Sequence, residues 1–383
     1  MPAAIRDRDQ GSSRSSHQLG SAGRKRKRKK AKSPLWAKIV AVLGALIVLA
    51  SSGALIAAKY FLGEVENSVQ HESMLGGASA PVDKAHALDG AVNILLMGVD
   101  ERTVTDDPDG TRADSIIIFH INAAHTAAYF LSMPRDTLAQ IPAFPKTGFK
   151  GSNEKINAAF QHGSDNGGGR TGGFELLAET ISSVTGLHFN AGAIVNFAGF
   201  EAVVDALGGV DMCIDQKVTS IHMNTNGQLL ATGGGTAMTY EKGCRHLEPW
   251  QALDFVRQRH TSGGDYDRQR HQQQFLKAVA KEAMSQGMTN VSKLNGLLTA
   301  TGHTLTVDPG AVGLTDWIFM LKGMNIGDMQ MLKTNGGQYA SLKCPDGSSC
   351  QKLTPDSLDM FHAARDDTMA DFVQNHPTWI AKD

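Results

Sequence analysis

Residues 92–137 read VNILLMGVDERTVTDDPDGTRADSIIIFHINAAHTAAYFLSMPRDT, and three strands can be read from them. The runs at 92–97, 116–121 and 127–133 are short, apolar and bounded by polar or turn-forming residues, the pattern of β-strands. They are continuously apolar rather than alternating, so both faces of their sheet must be covered. Charged residues mark the end of each run. Asp100 follows the first, Arg112 and Asp114 precede the second, and Arg135 and Asp136 follow the third. Open α/β sheets bind ligands just outside such strand ends.

Helices and strands alternate downstream. Residues 155–162 (KINAAFQH) read as a short helix start, 163–173 (GSDNGGGRTGG) as a flexible loop, and 174–184 as an amphipathic helix ended by Gly186. A strand at 193–195, a helix at 197–207 and a strand at 210–214 follow, and 215–246 reads as irregular. An apolar helical run at 247–256 leads into FVRQRHTSGGDYDRQRHQQQ (255–274), where Arg257, Arg259, Arg268 and Arg270 surround Asp265 and Asp267. A helix begins at Asp265 and runs to about Gln286. Further on lie a helix at 314–321, a strand at 329–333, a Cys-bounded turn and a helix at 355–372. This alternation argues for an α/β or α/β/α layered body. Many charge runs are no more than solvated, salt-bridged loops. Here the arginines recur with aspartates at strand ends, and the guanidinium fork grips phosphate oxygens in pairs.

Upstream, the net charge of −1 hides an asymmetry. The first 38 residues hold twelve of the 37 Lys/Arg and only two of the 38 Asp/Glu, which leaves an acidic remainder. Residues 1–33 have the composition of a disordered basic tail. Residues 34–59 carry two charges, Lys38 near the start and Lys59 at the end, and are long enough to span a bilayer as one helix. The basic run lies directly before them, which places the tail in the cytoplasm and the body outside. The small residues of 50–58 would suit signal cleavage, but the length of the apolar run favours an uncleaved anchor. Residues 60–88 read as a stalk.

The cysteines, Cys213, Cys244, Cys344 and Cys350, all follow the apolar segment, and an even number in an exported body favours disulfides. Cys344 and Cys350 flank a five-residue turn, and by elimination Cys213 pairs with Cys244. Zinc is disfavoured because no Cys-x-x-Cys occurs. No H-E-x-x-H, G-x-S-x-G or Gly-Lys-Ser/Thr phosphate loop is present. The acidic run 106–110 lacks the closing Glu of a calcium loop, with Ile116 in its place.

Asp100, Arg112, Asp114, Arg135, Lys155, Arg257, Arg259, Asp265 and Arg268 thus form a candidate constellation. Two carboxylates at neighbouring strand ends suit Mg²⁺, and several guanidinium groups suit a diphosphate. The chain resembles the LytR–CpsA–Psr family of bacterial cell-envelope proteins. The resemblance rests on NILLMGVD (93–100), RADSIII (112–118), SMPRDT (132–137), KINAAF (155–160), GFEAVVDALGGVDM (199–212), ALDFVRQRH (252–260) and D-x-x-R-x-x-x-Q (265–272), in the family's order. Two departures stand out: Ala113 replaces the usual Thr or Ser, and His271 stands where a second Arg often follows Arg268.

The resemblance implies a three-layer α/β/α extracytoplasmic domain with a mixed central sheet at 89–290, behind one transmembrane helix. Residues 291–383 would be an extension packed on the same body. It implies phosphodiester transfer of a polyprenyl-diphosphate-linked glycopolymer onto a peptidoglycan hydroxyl, at the membrane lipid surface. Asp100 and Asp114 would hold Mg²⁺, with Mn²⁺ as the alternative. Arg112, Arg135, Lys155, Arg257, Arg259, Arg268 and Gln272 would bind the diphosphate. Asp265 would orient the arginines or act on the acceptor proton. The amphipathic helices at 174–184 and 197–207 would be available to line a groove for the lipid. Two other functions fit the same features: hydrolysis of the lipid diphosphate by water, and a membrane-tethered regulator without catalysis. A nucleic-acid partner is not expected, because a basic run beside a span is more simply a topology signal and anionic-lipid patch.

Overall fold

The three apolar runs do form adjacent strands. In the computed structural model the described residues are 70–81, 86–99, 112–285, 305–322, 324 and 328–381. The expected tail (1–33) and span (34–59), residues 60–69 and 82–85 of the stalk, and Asp100 lie outside them. Among the described residues no helix is long and apolar enough to cross a membrane.

In chain order, β1 (Gln70–His71) precedes the three runs, now β2 (Val92–Val99), β3 (Ala113–Ile121) and β4 (Ala128–Ser132). A hairpin of β5 (Leu138–Ile141) and β6 (Ser152–Lys155) leads to helices α1 (Ala158–Ser164) and α2 (Gly169–Thr185). Then come β7 (Ala191–Val195), α3 (Phe197–Leu207), β8 (Val210–Ile214), β9 (Val218–Asn224), β10 (Ala237–Tyr240) and β11 (Gly243–Leu247). The arginine-rich segment spans α4 (Pro249–Arg257) and α5 (Asp265–Ser285). The last part holds β12 (Leu305–Asp308), α6 (Leu314–Lys322), β13 (Met329–Leu332), β14 (Ser341–Lys343), β15 (Ser349–Gln351), α7 (Pro355–Arg365) and α8 (Met369–Asn375).

The central sheet is mixed, in the order β1-β12-β7-β2-β3-β4-β13. β3 runs antiparallel to both β2 and β4, while β7 and β13 run parallel to β2 and β4 respectively. Two strands from beyond residue 290, β12 and β13, therefore belong to the same sheet as 92–132. Alternate side chains of β3 divide the core. Ile116 and Ile118 join Phe160, Phe174, Ile181 and Phe361 from α1, α2 and α7 on one face. Ile117, Phe119 and Ile121 join Trp317 of α6 on the other, with Leu276 of α5 packed beside them. This two-sided burial gives three layers and explains the continuously apolar runs. A third cluster, including Met212, Tyr240, Phe255 and Phe275, joins β8–β11 to α4 and α5.

Five local readings need correction. Lys155 does not start a helix; it ends β6, paired with Leu138, and α1 begins at Ala158. The glycine-rich segment is not a flexible loop throughout, because Gly163 ends in α1 and α2 already begins at Gly169. These glycines allow close helix contact: a Cβ at Gly163 would run into the Gly172 carbonyl, and one at Gly173 into the Phe160 carbonyl and Ser164 hydroxyl. Residues 215–246 hold strands rather than irregular chain, with β9 paired to β10 and β11 to β8. In β9 the buried position between Thr219 and Ile221 is Ser220, a polar residue, which conceals the two-residue period. The helix at 355–372 breaks at Asp367, whose φ of 55° is left-handed and whose carboxylate accepts from the Ala123 N–H. Helix α2 is core rather than groove lining, since Phe174, Leu176, Leu177, Ala178 and Ile181 are all fully buried.

Both expected disulfides are formed. Cys213 and Cys244 face each other across β8 and β11, and Cys344–Cys350 closes the β14–β15 hairpin. Intact-mass analysis of exported protein should therefore find no free thiol, and two or more would contradict the pairing. Gly163→Ala should destabilise the fold by about 1–3 kcal/mol through overpacking. An unchanged thermal midpoint would mean that α1 and α2 separate without cost.

Candidate functional site

Antiparallel pairing brings the charged strand ends to one sheet edge. Val99 pairs with Ala113, and Ile117 with Ser132, so the end of β2, the start of β3 and the end of β4 coincide. Asp114 lies within β3, and its carboxylate is contacted from two sides. Arg135, just past β4, hydrogen-bonds Oδ1 through Nη1, and Arg259 Nη2 lies 3.4 Å from Oδ2. Beside them Lys155 Nζ pairs with Asp136 at 3.0 Å.

Helical spacing sorts the arginine-rich segment. Residues three and four apart share a helix face, whereas residues two apart point to different sides. Arg268 therefore turns back to Asp265 at 2.7 Å and Gln269 Nε2 donates to the same carboxylate at 2.9 Å. Arg270 turns instead to Asp267 at 2.7 Å and Asp215 at 2.9 Å. Arg268 also donates through Nη1 to the Asp114 carbonyl at 2.8 Å, which ties α5 to the start of β3. Burial pushes the Asp265 carboxyl up, but Arg268, Gln269 and Arg135 outweigh it and hold it below the usual carboxylate range.

Arg259 is placed by its neighbour. After α4 the backbone at Gln258 is extended (φ −67°, ψ 132°), and the Gln258 side chain is fully buried. It donates to Asp254 Oδ1 at 2.8 Å and Ser220 Oγ at 3.2 Å, while the Tyr240 hydroxyl donates to Asp254 Oδ2 at 2.7 Å. Adjacent residues of extended chain point opposite ways, so burying Gln258 turns Arg259 towards Asp114. Arg259 also approaches Asp265 at 3.9 Å. Burial lowers its proton affinity, and the like charges of Arg268 and Arg135 lower it further. Three guanidinium groups and Lys155 thus share the carboxylates of Asp114, Asp136 and Asp265, a cluster with one cation in excess that favours an incoming anion.

The structure brings Asp114, Arg135, Arg259, Asp265 and Arg268 together, with Lys155 alongside through Asp136. Arg112 stands at the start of β3 and donates through Nε to Gln161 Oε1 at 3.0 Å. Arg257, in the last turn of α4, acts on other groups: its charge opposes the burial that raises the Glu201 carboxyl, and it adds to the burial that lowers His222. Gln272 lies one turn beyond Arg268, with a buried carboxamide oxygen that has no hydrogen-bond partner among the described residues. Asp100 lies outside the described residues. His271 is fully buried and stacked on Phe255, ring centroids 4.3 Å apart, with Nε2 3.7 Å from Asp215 Oδ1, so it belongs with the Asp215 group and away from Asp114. Asp136, seen at its strand end but left out of the constellation, and Gln269 and Tyr339, unremarked in the sequence, complete the site. The first two had a signal, adjacency to Arg135 and the i+4 position from Asp265. Tyr339, 74 residues from Asp265, had none; its hydroxyl accepts from the Asp265 N–H at 2.8 Å.

Comparison with known proteins gives a consistent picture. The LytR_cpsA_psr family matches residues 60–366. The polyisoprenyl-teichoic acid–peptidoglycan teichoic acid transferase TagU of Oceanobacillus iheyensis is 31% identical over 291 residues, 74% of this chain and 80% of that protein. The cell wall biosynthesis protein LcpA of Corynebacterium glutamicum is 27% identical over 316 residues, 74% of this chain and 56% of that protein. The crystal structure of Bacillus subtilis TagV superposes with a TM-score of 0.56 at 19% identity, covering 74% of this chain and 98% of TagV, a likeness of fold.

The depressed Asp265 carboxyl has a stability consequence with a definite sign. Its folded value lies below the unfolded one, so its contribution is present above about pH 4 and is lost as pH falls through the folded value. Asp265→Asn should destabilise the protein by about 1–3 kcal/mol at neutral pH. Urea unfolding should show that difference closing towards acid pH; a difference independent of pH would contradict the pairing.

Proposed function

The chain belongs to the LytR–CpsA–Psr family, and from that premise we propose that it transfers a polyprenyl-diphosphate-linked glycopolymer to peptidoglycan through a phosphodiester bond. The observation that carries this reading is the convergence of Arg135, Arg259, Arg268 and Lys155 on three carboxylates, Asp114, Asp136 and Asp265, which leaves one cation in excess at the sheet edge. A diphosphate is an anion whose oxygens match two facing guanidinium forks, those of Arg135 and Arg259. An acceptor hydroxyl would bond to the phosphorus bearing the glycopolymer, the bond to the bridging oxygen would break, and polyprenyl phosphate would leave, its freed oxygen taking up the hydroxyl proton. Such a step needs positioning and charge neutralisation rather than a covalent residue.

The arginines divide the work. Arg135 and Arg259 face the carboxylate of Asp114 and are 24% and 37% exposed, so an anion reaches them. Arg268, 3% exposed, holds the frame. Asp265 is a poor base because its proton affinity is lowered and its oxygens are engaged, so its role is to orient Arg268 and Arg259. Asp114, with Asp100, would hold Mg²⁺, or Mn²⁺ in its place. Among the described residues Asp114 Oδ2 is held by an ion pair without a hydrogen bond, which leaves lone pairs for a hard cation. The ion would add neutralisation of the diphosphate oxygens. The apolar segment 34–59 would keep the body at the outer membrane face, where the lipid-linked donor lies.

The test is transfer of a short lipid-linked glycan to peptidoglycan by the full chain in detergent, together with binding of a polyprenyl diphosphate. Arg259→Ala should weaken that binding by about thirtyfold or more, the loss of one charge-assisted hydrogen-bonding group. A folded wild-type protein that neither binds nor transfers would overturn the assignment.

A further inference from the structure

Tyr339 combines two properties that rarely occur together. It is 53% exposed, the highest value among the exposed large hydrophobic residues of the described part, the others there being Ile221 and Leu229. Yet its ring is fixed. The hydroxyl accepts from the Asp265 N–H at 2.8 Å and donates to the Gly263 carbonyl at 3.0 Å. The ring meets Tyr266 edge-on, with centroids 4.9 Å apart and planes at 64°. Tyr266 is buried and accepts from Asn335, which also binds the Lys352 carbonyl and Ser357. The next residue, Ala340, is tied to Gln351 and Lys352. Gly264 has a φ of 55°, and a Cβ there would press on the Tyr339 hydroxyl.

Capping α5 requires only an oxygen, which a short Ser or Asp side chain supplies. It does not explain an aromatic ring left open to solvent. A ring with its polar end already satisfied presents an apolar face with a negative quadrupole. That face suits the C–H side of a pyranose ring, which is weakly positive and apolar. The ring stands at the turn that carries Asp265, whose carboxylate binds Arg268 and approaches Arg259. A sugar there would be close to the phosphate-binding arginines. We propose that Tyr339 is a sugar platform, holding a pyranose ring of the donor or the acceptor beside the diphosphate. The proposal rests on the transfer reading above, since both substrates of that reaction are carbohydrates.

The test measures binding of three probes to the full chain in detergent: a sugar-free polyprenyl diphosphate, a polyprenyl-diphosphate-linked disaccharide and a soluble peptidoglycan glycan fragment. Tyr339→Leu should weaken one of the two sugar probes by about fivefold or more and leave the sugar-free diphosphate unchanged. Tyr339→Ser, which keeps a hydroxyl without a ring, should do the same, and Tyr339→Phe should retain sugar affinity within about twofold. The probe that weakens identifies the ring as donor or acceptor. Equal loss of all three probes, or a Phe variant as weak as the Leu variant, would overturn the platform in favour of a purely capping hydroxyl. A wild-type protein that ignores the diphosphate but loses glycan binding on Tyr339→Leu would overturn the transfer reading and keep the platform.

Discussion

The buried Arg268 guanidinium is the constraint around which the site is built. At 3% exposure this cation is tolerable only with a paired charge and several hydrogen bonds. Asp265 supplies the charge through two bonds, at 2.7 and 2.9 Å, and the Asp114 carbonyl supplies a third acceptor at 2.8 Å. Moving α5 away from β3 would strip that charge of its partners. The distance between the first turn of α5 and the start of β3 is thereby fixed, and with it the space in which Arg135 and Arg259 meet Asp114.

The same helix is fastened a turn and a half further on. Gln273, buried, donates to the Phe130 carbonyl at 3.2 Å, the Ser132 hydroxyl at 2.8 Å and the Leu332 carbonyl at 3.1 Å. These acceptors lie at the ends of β4 and β13, with Ser132 three residues before Arg135 and Leu332 three before Asn335. One helix therefore sets the positions of strand ends from both halves of the body. On the far side of the sheet Asp308 accepts from the Met74 and Leu75 N–H groups, at 2.6 and 3.1 Å, and secures the edge formed by β1 and β12. Chemistry that depends on positioning benefits from such a frame, because small displacements of charge-bearing groups cost much of the rate.

A second polar network lies behind Arg259. Asp254, Tyr240, Ser220 and Gln258 bond to one another inside an apolar cluster, and burial raises both the Asp254 carboxyl and the Tyr240 hydroxyl. Its members fix the backbone from which Arg259 projects, since Gln258 directly precedes it. Arg270 belongs to a third set, with Asp215 and Asp267, which braces α5 against the end of β8. Charged residues that lie within fifteen positions of one another in the sequence thus serve different purposes: Arg259 faces the site, and Arg268 and Arg270 hold the scaffold.

Much of this was legible from residue order. The apolar runs at 92–97, 116–121 and 127–133 fixed a doubly covered sheet, because continuous burial leaves no polar alternation. Asp114, Arg135, Arg259, Asp265 and Arg268 were visible as charges at strand and helix ends, and the turn between Cys344 and Cys350 implied its own disulfide. Local pattern misread the segments whose conformation depends on distant partners. Gly163 to Gly173 read as loop because glycine is a poor helix former alone, and helices form there because α1 and α2 can meet only without side chains. Strand β9 hid its period because the buried Ser220 serves a polar network. The tertiary structure alone decided which arginines converge, that Gln258 aims Arg259, and that Tyr339 reaches Asp265 across 74 residues, since hydrogen bonds are set by distance in space and leave no periodicity along the chain.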